Sequence, residues 1–119
     1  ALPILVANKD INLVLSENDN MLLGAKTALD NAGMTEQIWL AAGSDGQKEA
    51  YEEIMKEGSR YLGTGENNPY KIGTKAVEIA EALLSGETDA SSYDAITPTE
   101  ALAVTKENVA EIYNPDSLF

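Results

Sequence analysis

Short apolar runs alternate along this chain with amphipathic stretches, and polar residues gather where one gives way to the other. Residues 1–8 read as the last turns of a helix, with Pro3 tolerable near a helix start. Ile11 to Ser16 reads as a strand, with Leu13, Val14 and Leu15 as a short buried run. From Asn20 to Asn31, Met21, Leu22, Ala25 and Leu29 recur at helical spacing, and Gly33 closes the helix. Gln37 to Ala42 is a second strand, Gln47 to Lys56 a helix ended by Gly58, and Arg60 to Thr64 a third strand. Pro69 to Leu84 is the clearest helix. Pro69 suits its first position, Asn68 its N-cap and Gly86 its stop, and Ile72, Ala76, Ile79, Ala80 and Leu83 form its apolar stripe. Residues 87–95 read as a polar loop, Glu100 to Val104 as a strand, Thr105 to Tyr113 as a short helix, and Asn114 to Phe119 as a tail. Alternation of this kind predicts an α/β fold, a Rossmann-like parallel sheet flanked by helices.

In such sheets ligands bind at the carboxyl ends of the strands. Three strand-to-helix junctions therefore matter: Ser16-Glu17-Asn18-Asp19, Gly43-Ser44-Asp45-Gly46 and Gly65-Glu66-Asn67-Asn68-Pro69. The plainer reading of each is helix capping. At the first, Asp19 or Asn20 serves as cap and leaves Asn18 outside the helix at the strand tip. At the second, Asp45 is either an N-cap in a glycine-rich turn or an acceptor for ligand hydroxyls. At the third, Asn68 caps and Asn67 is left over. Gly63-Thr64-Gly65 hints at a dinucleotide loop, but Asn68 stands at the third glycine position. Pro69 also removes a backbone N–H that a phosphate would need. Glu17 and Glu66 have no spacing that marks an acid/base pair. Trp39 reads as a packed strand residue rather than a ligand platform.

Composition narrows the chemistry. The 119 residues suit one small domain, and 44% hydrophobic content allows a core. The net charge is −12, from 20 acidic and 8 basic residues. That argues against a nucleic-acid surface and against an anionic membrane face. With no histidine and no cysteine, neither a Ser-His-Asp triad nor a zinc site with His or Cys ligands is available within the chain. No enzyme activity, cofactor or metal is expected. Ala1 to Ala7 lacks a basic n-region, and no apolar run approaches the ~20 residues of a membrane span. The expectation is a mature protein, a truncation or a fragment, without direct membrane insertion.

Taken together, the junctions resemble a known bacterial family. Asp10-Ile-Asn-Leu-Val-Leu-Ser-Glu-Asn18-Asp19-Asn-Met21-Leu-Leu-Gly24-Ala25 is similar to the "NPDIxAVxAxNDxMALGA" segment of sugar-binding proteins of the ribose/galactose type. Gly43-Ser-Asp45-Gly46 with Glu49-Ala50 and Ile54 resembles their "GxDGxxEAxxxI" segment, and Asn67-Asn-Pro69-Tyr-Lys-Ile72-Gly73 their "QxPxxxG" segment. Thr97-Pro98 to Glu107-Asn108-Val109 resembles their closing "PxxLVTKENV" segment. Each piece alone is weak, but their order and spacing agree over nearly the whole chain.

The resemblance implies a solute-binding protein of an ABC importer with a type I periplasmic binding protein fold. In that family a monosaccharide is clamped between two lobes, and membrane subunits of the transporter read the closed form. The second lobe's sugar contacts match Asn18, Asp45 and Asn67; the third position is usually Gln or Asn. The location implied is the periplasm, or the cell surface for a lipoprotein. The match begins past the middle of the family's length, so the chain resembles a C-terminal fragment. Residues 1–93 would be a partial C-terminal lobe. Residues 94–119 would be a hinge return, with a final strand and helix belonging to the missing N-terminal lobe. Leu102, Val104, Val109 and Ile112 would then need a substitute partner, such as a second copy of the chain. An alternative with the same fold is the effector-binding core of a sugar-responsive, LacI-type transcription regulator.

Overall fold

Three strands of four to five residues lie side by side and parallel in the computed structural model, which describes residues 2–119. They are β1 (Leu13–Ser16), β2 (Trp39–Ala42) and β3 (Tyr61–Gly65). Leu13 pairs with Trp39 and Ser16 with Ala42, while the β2–β3 register shifts between Leu40 and Ala41. Two helices cross over between them, α2 (Asp19–Ala32) and α3 (Lys48–Met55). A short α1 (Leu2–Ala7) precedes β1, so the expected first helix is present over its described residues; Ala1 lies outside them.

Apolar spacing explains which faces close. Leu22 and Leu29 of α2 and Ala50, Tyr51 and Ile54 of α3 are buried against Leu40 and Tyr61 of the sheet, with Leu5 and Ile38 completing that side. Gly33 ends α2 in the left-handed region at φ 67°, and its N–H donates to the Asp30 and Leu29 carbonyls. The other sheet face carries Leu13, Leu15, Trp39 and Leu62, all exposed. The expected packing of Trp39 is therefore not met: it is exposed and stacks under the Arg60 guanidinium at 4.2 Å.

The sheet is not wholly parallel. A fourth strand, β4 (Ala103–Thr105), pairs antiparallel with β3, with Gly65 opposite Ala103 and Gly63 opposite Thr105. The chain leaves the sheet at the carboxyl end of β3 and returns at that same edge, so the returning strand runs backwards. Val104, Val109 and Ile112 find partners within this unit, whereas Leu102 stays exposed. Val104 and Val109 are fully buried in the same core, and Val109 opens α5 (Val109–Ile112). Asn108 accepts from Thr105 N at 2.8 Å and donates to the Ala103 carbonyl at 2.9 Å. Tyr113 donates to Glu52 of α3 at 2.9 Å, and Lys48 donates to the Pro115 carbonyl.

The chain forms two compact units. One runs through residue 67 and resumes from Leu102 to Phe119; the other is Asn68–Ala101. Within the second, α4 (Pro69–Ser85) is capped by Asn68, which accepts from Tyr70 N and Lys71 N, and ends at Gly86 with φ 74°. No residue of α4 is buried. A single 3-10 turn, Ala90–Ser92, interrupts the polar stretch that follows.

Candidate functional site at the strand tips

Because β1, β2 and β3 are parallel neighbours, the segments that follow them emerge at one edge of the sheet. Asn18, Asp45 and Asn67 lie two, three and two residues beyond the ends of these strands. Main-chain hydrogen bonds lace the three segments together. Gly43 N donates to the Ser16 carbonyl at 3.0 Å, Asp19 N to Ser44 at 3.2 Å, and Asn67 N to Asp45 at 3.0 Å. The Thr64 hydroxyl adds a bond to the Ser44 carbonyl at 3.1 Å. Glycine is required where the segments touch: a Cβ on Gly65 would collide with the Gly43 carbonyl oxygen. The tips thus form one rim.

The capping roles differ from those expected. Asn18, not Asp19 or Asn20, is the N-cap of α2. Its backbone is extended, and its Oδ1 accepts from Met21 N at 3.0 Å. Residue type alone does not identify the cap, because Asp19 after Asn18 is also a good cap. Asp19 has another use. Its carboxylate is fully buried and accepts from Gly46 N at 2.8 Å, Gln47 N at 2.9 Å and the Tyr61 hydroxyl at 2.7 Å.

Asp45 does not cap α3 either. Gln47 holds that position without a side-chain bond, and Asp45 sits two residues earlier at φ 99°. That left-handed conformation is uncommon for a residue with a Cβ and often accompanies function. Among the described residues, the Asp45 carboxylate receives only a long contact from the Ser44 hydroxyl, 3.4 Å. Asn67 is exposed, and Glu66 beside it is buried.

The local field is acidic. Burial, and then the charges of Glu66 and Asp19, push the Tyr51 phenol up to about 12. Burial, followed by the bond to Asp19, raises Tyr61 as well. Both phenols stay protonated at neutral pH, so Tyr61 is a donor to Asp19. Sequence reasoning did not single out Asp19 beyond capping, nor Tyr61 at all, and it named Thr64 only within the Gly63-Thr64-Gly65 motif. No local signal marks them, since the Asp19 partners lie 27, 28 and 42 residues further along. The rim offers carboxylate and amide groups suited to hydroxyls. Among the described residues, no group of three or more acidic, His or Cys side chains is placed to hold a metal ion.

Known proteins are similar to this chain. The ribose import binding protein RbsB of Salmonella typhimurium is 36% identical over 90 residues, which is 76% of this chain and 29% of that protein. Its Escherichia coli counterpart is 33% identical over 104 residues, 87% of this chain and 32% of that protein. The chain therefore spans less than a third of the length of these curated relatives. They are transport binding proteins. Among solved structures, a periplasmic solute-binding protein of an ABC transporter from Actinobacillus succinogenes, with bound D-allose, superposes with a TM-score of 0.80 at 27% identity. That match covers 92% of this chain and 37% of that one. The fold is accordingly that of type I periplasmic binding proteins. A family model described as the periplasmic binding protein domain matches residues 2–88, and the chain belongs to that family.

Proposed function

We propose that these residues form the sugar-binding rim of one lobe in the solute-binding component of an ABC import system. The observation that carries this reading is the rim itself: Asn18, Asp45 and Asn67 follow three adjacent parallel strands and are laced into one edge by main-chain bonds. The identity to ribose import binding proteins and the D-allose bound to a structural neighbour support a monosaccharide as ligand.

Asp45 accepts hydrogen bonds from sugar hydroxyls. Asn67 donates and accepts, and Asn18 acts mainly as donor through Nδ2, because its Oδ1 caps α2. A second lobe supplies the opposing surface. Sugar bridging the two lobes favours the closed form, which the membrane subunits of the transporter recognise. The protein binds and releases its ligand unchanged and is not an enzyme, and it works outside the cytoplasm. The segment Asn68–Ala101, not 94–119, crosses to the other lobe. Supporting this, α4 has no buried residue while Val104 and Val109 are core residues of the rim's own unit.

Replacing Asp45 with Ala in the intact, two-lobed protein tests the reading. Each charge-assisted bond contributes roughly 1.5–3 kcal/mol. Losing two of them weakens sugar binding by about a hundredfold or more by titration calorimetry. Binding equal to that of the parent protein would sink the assignment.

A further inference from the structure

Asp19 is the one fully buried acidic side chain among the described residues, and its task is not the one its position suggests. It is the first residue of α2, yet Asn18 already caps that helix. The Asp19 carboxylate instead reaches the segment after β2. One oxygen, Oδ2, accepts from both Gly46 N and Gln47 N. The other, Oδ1, accepts from Tyr61 of β3, which holds the carboxylate in a single orientation. Asp19 N also donates to the Ser44 carbonyl. The segment is thus gripped on both sides of Asp45, at Ser44 and at Gly46–Gln47.

Asp45 needs such a grip. It holds φ 99° without being glycine, a conformation that an untethered loop would relax. Gly46 follows at φ 72°, and a Cβ there would stand 3.1 Å from Glu66 Cα, so the loop is also closely packed. We infer that Asp19 is a positioning residue for the ligand rim. Its buried carboxylate, oriented by Tyr61, clamps the Gly43–Gly46 loop so that Asp45 is presented to the sugar before the sugar arrives. The inference rests on the reading of Asp45 as a sugar contact. Preorganisation of this kind raises affinity by reducing what binding must order.

The test uses the intact protein and a panel of pentoses and hexoses. Asp19→Ala removes the clamp, whereas Asp19→Asn preserves it. In Asn the carbonyl oxygen accepts the two loop amides, and the amide donates to the Tyr61 hydroxyl oxygen. Asp19→Ala is expected to weaken binding by about tenfold or more and Asp19→Asn by no more than about threefold. Without any sugar present, hydrogen exchange at the Gly46 and Gln47 amides should speed up in Asp19→Ala and stay slow in Asp19→Asn. In an Asp45→Ala background, Asp19→Ala should cost little further affinity, because the group it positions is gone. If Asp19→Ala does not fold, Tyr61→Phe takes its place, with an expected loss of about threefold and faster exchange at the same two amides. Parent-like affinity and exchange in the folded variant overturn the inference, as does a loss that is fully additive with Asp45→Ala. If Asp45→Ala itself leaves binding intact, it is the sugar-contact reading that fails; the exchange result then still decides whether Asp19 clamps the loop.

Discussion

Tyr51 and Tyr61 place two phenols against the carboxylates of the strand tips, and this makes the fold sensitive to alkali. Burial leads both upward shifts, with Glu66 and Asp19 acting on Tyr51 and the Asp19 bond acting on Tyr61. In the unfolded chain a tyrosine ionises near ~10. A folded value of about 12 for Tyr51 means its contribution to stability is intact below the unfolded value. It declines as pH rises past ~10 and is lost as pH climbs through the folded value. Urea midpoints should therefore fall between pH 10 and about 12, with ionisation of Tyr51 and Tyr61, followed by residue-resolved NMR, accompanying unfolding rather than preceding it. A midpoint that holds steady across that window would contradict the burial of these phenols. At this scale the sequence was only half legible. It singled out Asn18, Asp45 and Asn67 as residues at strand tips, because each follows an apolar run closely. It assigned the cap to the wrong neighbour, because Asn18 and Asp19 are both good caps by residue type. What separates them is the pair of amides at Gly46 and Gln47 that only Asp19 reaches.

Among the elements, α4 was readable almost to its ends, and β4 was not. Asn68, Pro69 and Gly86 are local signals, and the helix observed is Pro69–Ser85 against an expected Pro69 to Leu84. The direction of β4 depends on which edge of the sheet receives it, and the intervening residues do not encode that locally. The expected helix from Thr105 likewise shrank to Val109–Ile112, because Thr105 is taken up as a strand residue opposite Gly63. Assigning β4 and α5 to the rim's own unit has a measurable consequence. Val109 is buried, so Val109→Ala should destabilise that unit by about 1–3 kcal/mol in urea unfolding. The loss should appear in the signal of Trp39 on β2 as well as in overall helicity. A variant that leaves the Trp39 transition unmoved would mean that residues 102–119 are only loosely attached.

For the whole molecule, the exposed apolar residues are the notable property. Leu13, Leu15, Trp39 and Leu62 lie open on one sheet face, and Tyr70, Ile72, Val77, Leu83 and Leu84 lie open on α4. Under the proposed clamp, this 119-residue chain holds one side of the ligand only. Taken alone, it should bind sugars more weakly than about micromolar by titration calorimetry, because the opposing surface of the clamp is missing. Micromolar binding by the isolated chain would contradict the two-lobe reading. No helix among the described residues is long and apolar enough to cross a membrane. The sequence by itself determined the alternation of strand and helix, the caps at Asn68 and Gly86, and the three polar junctions. All of these rest on spacing and on contacts within a few residues. The tertiary structure alone decided that β4 runs antiparallel and that Val104 and Val109 join the core. It also decided that Asp19, rather than capping its own helix, holds the loop that carries Asp45. Those outcomes depend on partners far apart in the chain, 27 to 42 residues for Asp19, where a buried carboxylate is stable only because folding supplies its donors.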